Sequence, residues 1–171
     1  MVNYFALFEL PVSFRPDQEK VKKQFYRLSR QYHPDYFSLE NEEDQSAVLE
    51  KSADINKGYR ILRDPDAIMK FVLQWKGLLE EEEKYQLDSG FLMQVMELNE
   101  VIMDAKMEEN ESITIDLRKQ IDSLQSEIYR PVKEIVENYQ EGITTPEDLL
   151  RVKEYYFRKK YLNRILEGMA G

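Results

Sequence analysis

Cysteine is absent from this 171-residue sequence, and there is one His, one Trp, 6 Gly and 6 Pro. Zero Cys excludes a disulfide framework, thiolate metal sites, Cys nucleophiles and ligation of an iron–sulfur cluster by this chain. A single His excludes a two-His metal site and leaves little room for acid–base pairs built on imidazole. The patterns G-x-x-x-x-G-K-[ST], G-x-S-x-G and H-E-x-x-H are all missing, so no phosphate loop, nucleophile elbow or zinc-protease helix is expected. No run of about 18 apolar residues occurs, so no membrane span is expected. The start, Met1-Val2-Asn3-Tyr4-Phe5, has no basic region followed by an apolar run, which argues against a secretory signal. A soluble cytoplasmic protein is the expectation. Runs of alternating apolar and polar residues bounded by hairpin turns are also missing, so strands are not expected.

What is present is apolar and charged: 42% hydrophobic, 12% aromatic and 33% charged residues. That apolar content is too high for a disordered chain, and the length suits one well-filled domain or two small ones. The net charge is −9, distributed unevenly. Residues 1–77 hold 12 basic and 12 acidic side chains, whereas 78–171 hold 12 basic and 21 acidic. A nucleic-acid binder carries a basic excess, which disfavours that class for the chain as a whole.

Apolar spacing predicts an all-α protein. A short helix covers residues 3–10 and stops before Pro11. A second covers 16–32, with Pro16 in its first turn and Val21, Phe25, Leu28 and Tyr32 on one face; Pro34 ends it, because the residue before proline avoids the α region. A third, 45–63, offers Val48, Ser52, Ile55, Tyr59 and Leu62. These two stripes can bury each other in an antiparallel hairpin. A fourth, 65–76, runs from Pro65 to Gly77 and supplies Ile68, Phe71, Val72 and Trp75. The acidic stretch 78–88, centred on Glu80–Glu83, reads as a solvated linker. Three longer helices follow at 89–110, 112–141 and 146–168. Pro131 should kink or break the middle one, and Thr145 and Pro146 read as N-cap and first residue of the last. Their short connections suggest an antiparallel bundle over 89–171.

Two features point to function. On a helical wheel Lys20, Lys23, Arg27 and Arg30 share an arc of about 80°, opposite the apolar stripe of the second helix. Segment 15–32 holds six basic and two acidic residues inside an acidic protein. This is either a solvated face or a docking face for an acidic partner, with long-range steering. Immediately after it comes His33-Pro34-Asp35, a turn stiffened by proline, in which Asp35 suits a partner arginine. In the helix at 89–110, Phe91, Val95, Leu98, Ile102 and Ala105 form one stripe. Leu92, Met93, Met96, Met103 and Met107 form a second, with Glu100 among them and Glu97 at its edge. The second stripe is either further core, since a bundle helix touches two others, or a binding patch of adaptable methionine with a carboxylate rim. Nothing near Glu97 and Glu100 supplies the shaped site that a catalytic pair requires.

Asn3-Tyr4-Phe5-Ala6-Leu7-Phe8, the basic helix, His33-Pro34-Asp35-Tyr36-Phe37 and Asp54-Ile55-Asn56-Lys57-Gly58-Tyr59-Arg60-Ile61-Leu62 together resemble a J-domain. J-domains stimulate ATP hydrolysis by heat-shock chaperones of the seventy-kilodalton class. The resemblance implies chaperone-binding roles for His33, Pro34, Asp35, Lys20, Lys23, Arg27 and Arg30. Tyr36 departs from the Lys that the family usually has after the aspartate.

Phe91-Leu92-Met93-Gln94-Val95-Met96-Glu97-Leu98-Asn99-Glu100, behind a J-domain, is similar to the HscB family of iron–sulfur assembly co-chaperones. That likeness implies an L-shaped fold: a J-domain over 1–77, comprising the helical hairpin and short helices, then a three-helix bundle. It implies two partners, an HscA-like seventy-kilodalton chaperone and an IscU-like cluster scaffold protein, and no membrane. It implies no enzymatic activity and no cofactor of the chain's own. The scaffold-binding positions it implies are Leu92, Met93, Met96, Glu97, Glu100 and one aromatic of Tyr155-Tyr156-Phe157, with Tyr156 preferred. Met96 stands where Leu is more usual. Eukaryotic relatives include forms with a Cys-rich N-terminal module, so a chain without Cys resembles the bacterial type. A general J-domain co-chaperone with another client, or a nucleic-acid-binding adaptor using the basic helix, are the alternatives.

Overall fold

A computed structural model describes residues 1–108 and 111–170, except for the side chains of 169 and 170. Every regular element among the described residues is helical: α1 (Tyr4–Leu7), α2 (Gln18–Gln31), α3 (Glu42–Leu62), α4 (Pro65–Trp75), α5 (Ser89–Met107), α6 (Glu111–Tyr129), α7 (Lys133–Glu137) and α8 (Pro146–Ala170). A 3-10 turn, Pro34–Phe37, lies between α2 and α3. The end of the helix expected over 89–110 falls on residues 109 and 110, outside the described residues. No described helix is long and apolar enough to cross a membrane.

The chain divides into two compact units, Met1–Leu79 with Val136–Thr144, and Glu80–Ile135 with Thr145–Gly171. In the first unit α3 is the central element, packed by α1, α2, α4 and the 3-10 turn. The predicted stripes meet: Val21 and Leu28 of α2 and Val48, Ile55 and Leu62 of α3 are buried. Phe25 stacks on Tyr59 with ring centroids 4.0 Å apart. Full burial of each such aliphatic side chain stabilises by about 1.5–3 kcal/mol. Gly58 lets α1 approach α3, because a Cβ there would stand 2.8 Å from the rings of both Phe8 and Tyr4.

The helix ends follow cap chemistry. Asp17, not Pro16, opens α2: its carboxylate accepts from the Glu19 and Lys20 amides, and Pro16 lies before the cap. A side-chain acceptor satisfies the orphan amides of the first turn, which proline cannot do. Asn41 caps α3 three residues earlier than the apolar periodicity suggests, and Asp64 caps α4 ahead of Pro65. At the other end of α3, Gln18 donates to the Leu62 carbonyl at 2.9 Å. Helix α4 closes on Gly77 at φ +70°, where the Gly77 and Leu78 amides return to the carbonyls of Gln74 and Leu73; this left-handed closure is the reason for glycine there.

Residues 136–144, which belong to the bundle segment by sequence reading, pack within the first unit. Phe14 meets the Tyr139 ring edge-on at 5.3 Å, and Arg15 pairs with Glu137 at 3.1 Å. Glu141 accepts from Lys76 and, at 2.6 Å, from the Tyr139 hydroxyl. Those two donors hold the Glu141 carboxyl below the usual range. Burial, then the bond to Glu141, pushes the Tyr139 hydroxyl well up.

In the second unit α5, α6 and α8 pack on one another in all three pairings. The buried set is Phe91, Val95, Leu98 and Ile102 of α5, Leu117, Ile121, Leu124 and Ile128 of α6, and Leu149, Val152, Tyr155 and Leu162 of α8. The helix expected over 112–141 breaks at Tyr129, just ahead of Pro131, and resumes only as α7. At α8 the capping is reciprocal: the Asp148 amide donates to Thr145 Oγ1 at 3.1 Å, and the Thr145 amide to Asp148 Oδ2 at 3.3 Å. The acidic stretch is not wholly solvated. Glu83 pairs with Lys153 at 2.5 Å, both ends mostly covered, and Tyr85 stacks on Phe157 with centroids 4.5 Å apart. Hydrogen bonds from Lys153 and then from the Glu80 amide hold the Glu83 carboxyl below its ordinary value.

Candidate functional site

Each unit carries one surface that its own core does not use. On the first, α2 buries Val21 and Leu28 and so turns Lys20, Lys23, Arg27 and Arg30 outward, all exposed. Arg27 is the one of the four that is engaged among the described residues. Its guanidinium reaches Glu9 at 2.9 Å and donates to Gln24 Oε1 at 2.6 Å. The other three cations are held by the helix backbone alone, so their charge projects into solvent.

Helix α2 stops at Gln31, and the His-Pro-Asp sequence follows as an ordered turn. His33 is its N-cap: Nδ1 accepts from the Asp35 amide at 3.3 Å. The Asp35 carboxylate lies 3.6 Å from the same nitrogen, and the Tyr36 ring lies 5.6 Å from the imidazole. Pro34 occupies the first position of the turn, where its fixed φ is suited and no amide is needed. His33, Asp35 and Tyr36 are exposed, while Phe37 is drawn in. Phe37 shares a groove of about 550 Å³ with Tyr32, Ala47, Val48 and Lys51. The turn is thus anchored through Phe37 and presents its polar groups outward. It offers a carboxylate acceptor and an imidazole in fixed relation, with no nucleophile beside them.

The second unit presents α5. Phe91, Val95, Leu98 and Ile102 point into the bundle. The second stripe does not: Met93 and Met96 are each 61% exposed, Met103 59% and Met107 85%. Leu92 is half-buried, and Glu97 and Glu100 are exposed. The surplus apolar arc of this helix is therefore surface. Thioether side chains with exposed carboxylates along the edge make a deformable apolar patch with a negative rim. The site positions implied by family resemblance end at Glu100, whereas Met103 and Met107 continue the same exposed face, as their helical spacing already implies.

Among the three adjacent aromatics, Tyr155 is only 9% exposed and meets Tyr129 inside the bundle. Phe157 is stacked on Tyr85. Tyr156 is half-buried, edge-on to Phe157 and with Lys160 over its ring. Next to the start of α5, the α8 side chains in contact with Phe91 are Arg158, 5.1 Å above the ring, and Tyr161. Periodicity alone did not separate these positions, because every face of this stretch of α8 carries an aromatic or a long cation.

The DnaJ domain model matches residues 3–71, and the HSCB C-terminal oligomerisation domain model matches residues 87–170. The chain is 32% identical over 161 residues to the co-chaperone protein HscB homolog of Haemophilus ducreyi, covering 93% of this chain and 91% of that protein. It is 32% identical over 166 residues to the homolog of Vibrio campbellii, covering 96% and 95%. Among solved structures, the human co-chaperone HscB superposes with a TM-score of 0.78 at 26% identity, covering 99% of this chain and 81% of that one. An exposed His-Pro-Asp turn on a helical hairpin, a separate three-helix unit and full-length similarity lead to one assignment: the chain belongs to the HscB family of J-domain co-chaperones.

Proposed function

We propose that this chain stimulates ATP hydrolysis by a seventy-kilodalton heat-shock chaperone of the HscA type and delivers to it an iron–sulfur scaffold protein of the IscU type. The observation that carries the reading is the ordered, exposed turn His33-Pro34-Asp35 beside the outward-facing cations of α2. Lys20, Lys23, Arg27 and Arg30 would steer an acidic chaperone surface into contact, an effect mainly on association rate. The capped turn would then place Asp35 to accept from a partner guanidinium and His33 beside it, at little cost in ordering, because the turn is already fixed.

The client arm is α5. Met93 and Met96, with the uncovered part of Leu92, would supply apolar area, and Glu97 and Glu100 would set orientation. Of the three adjacent aromatics Tyr156 is the one left to join them, since Tyr155 is buried and Phe157 is committed to Tyr85. The chain itself performs no bond chemistry in this account. ATP is hydrolysed in the chaperone and the cluster is ligated by the scaffold, with the cytoplasm as the setting. The test is chaperone ATPase under single turnover, with and without scaffold. Wild-type protein should raise the rate, and a folded His33→Gln protein should not. Binding of an unrelated client in place of the scaffold would leave the first arm standing and overturn the second.

A further inference from the structure

Four of the seven methionines lie on one open face of α5. From Met93 to Met107 the face runs about 21 Å at 1.5 Å per residue. By contrast Met69, in α4, is buried at 5% exposure. With no cysteine in the chain, exposed thioethers are its readiest targets for a mild two-electron oxidant. We propose that this face is a reversible oxidation site: conversion of Met93, Met96, Met103 and Met107 to sulfoxides switches off client docking while the His-Pro-Asp surface keeps working. The inference rests on the reading of α5 as the client arm.

The chemistry needs only a peroxide. The thioether sulfur attacks one peroxide oxygen, the S–O bond forms as the O–O bond breaks, and water leaves after proton transfer. Sulfur is oxidised by two electrons and the peroxide is reduced by two. A methionine sulfoxide reductase restores the thioether: two thiols of the donor give up two electrons and two protons and become a disulfide, and the sulfoxide oxygen leaves as water. The consequence follows from the surface. A sulfoxide is a strong polar acceptor where the unmodified patch offers a soft apolar contact. The flanking carboxylates of Glu97, Glu100 and Asp104 supply no hydrogen to it when ionised. A partner's apolar anchor would then cover polar groups left without donors, which is costly. None of the four side chains is among the buried core residues, so oxidation should spare the fold.

The experiment treats the full-length chain with hydrogen peroxide, maps sulfoxides by mass spectrometry and measures affinity for a recombinant IscU-type scaffold. Helix content and scaffold-free stimulation of the chaperone are followed in parallel. The expected result is oxidation of the four α5 positions ahead of Met69, with scaffold affinity lowered about tenfold or more. Sulfoxide reductase should restore it, and helix content should not change. A variant with Met93→Leu, Met96→Leu, Met103→Leu and Met107→Leu, compared with its own untreated form, should lose its sensitivity to peroxide. Undiminished scaffold binding by protein carrying all four sulfoxides would overturn the inference, as would equal sensitivity in the leucine variant or loss of binding only with loss of helix. A Leu92→Ala, Met93→Ala, Met96→Ala protein separates the two claims. If it loses the scaffold while the oxidised protein does not, the inference alone fails; if neither loses it, the reading of α5 as the client arm fails first.

Discussion

The two units expose surfaces made by opposite means. The first presents a rigid turn and cations, and takes little apolar area out of its own core to do so. The second presents four thioethers on a helix whose other face is fully used by its bundle. Charge acts over distance and governs encounter, whereas apolar contact acts on touching and governs lifetime. A surface of the first kind suits a brief, triggering contact, and one of the second kind suits holding a client. The net charges agree: residues 1–77 sum to zero but concentrate cations on α2, while 78–171 carry the whole excess of −9.

The comparison can be broken first at the turn. His33→Gln removes the group that caps the 3-10 turn and should reduce chaperone stimulation to the unstimulated rate. Circular dichroism should report unchanged helix content, because the side chain is exposed. The next effect in size is on the proposed client arm, α5. Leu92→Ala, Met93→Ala and Met96→Ala should each weaken scaffold binding by about 1–2 kcal/mol, with poor additivity between such near neighbours. Thermal melting of the same proteins should hardly change; a large drop would mean that the face belongs to the core after all.

Smaller effects sharpen the contrast. Lys23→Glu should slow association with the chaperone by up to about tenfold at low salt and leave dissociation nearly unchanged, as stopped-flow at two salt concentrations would show. Arg27→Glu should do this and also loosen the corner between α1 and α2, since Arg27 is tied to Glu9; exposed pairs contribute about 0.2–1 kcal/mol. The smallest effect is on acid stability. The Glu83 and Glu141 carboxyls are both held below the ordinary value near 4.5. A depressed carboxylate adds stability that is fully present above its unfolded-state value and is lost as pH falls through the lower folded value. Each unit should therefore lose stability below about pH 4.5. Glu83→Gln should flatten that loss in the second unit by on the order of 0.5 kcal/mol, measured by melting at pH 3 to 7.

Much of this was legible in the order of residues, and the parts that were not have physical reasons. The stripes Val21-Phe25-Leu28-Tyr32 and Val48-Ser52-Ile55-Tyr59-Leu62 pack as their spacing implies, because burial of a periodic face dominates helix pairing. Pro131 breaks its helix and Thr145 caps the next, since both act through local backbone chemistry. Pro16 lies outside the helix that its first-turn preference predicts, because the Asp17 carboxylate can accept from first-turn amides and so takes the cap. The membership of 136–144 in the first unit depends on contacts of Phe14, Arg15 and Lys76 across more than sixty positions of sequence, which no local pattern encodes. A wheel shows that α5 has two apolar stripes, yet only the packing tells which one is covered. For the same reason Tyr155, Tyr156 and Phe157 look equivalent in sequence and differ in the fold.

On the proposed function, one chain carries two separable surfaces whose joint presence couples client to chaperone. The most direct measurement mixes two defective proteins, His33→Gln and the Leu92→Ala, Met93→Ala, Met96→Ala variant, and records scaffold-dependent ATP hydrolysis by the chaperone. Each should retain one half: the first binds scaffold, and the second stimulates the chaperone without it. Their mixture should not reproduce the scaffold-dependent rate of the wild-type chain. Full restoration by the mixture, or full activity of either variant alone, would contradict the account.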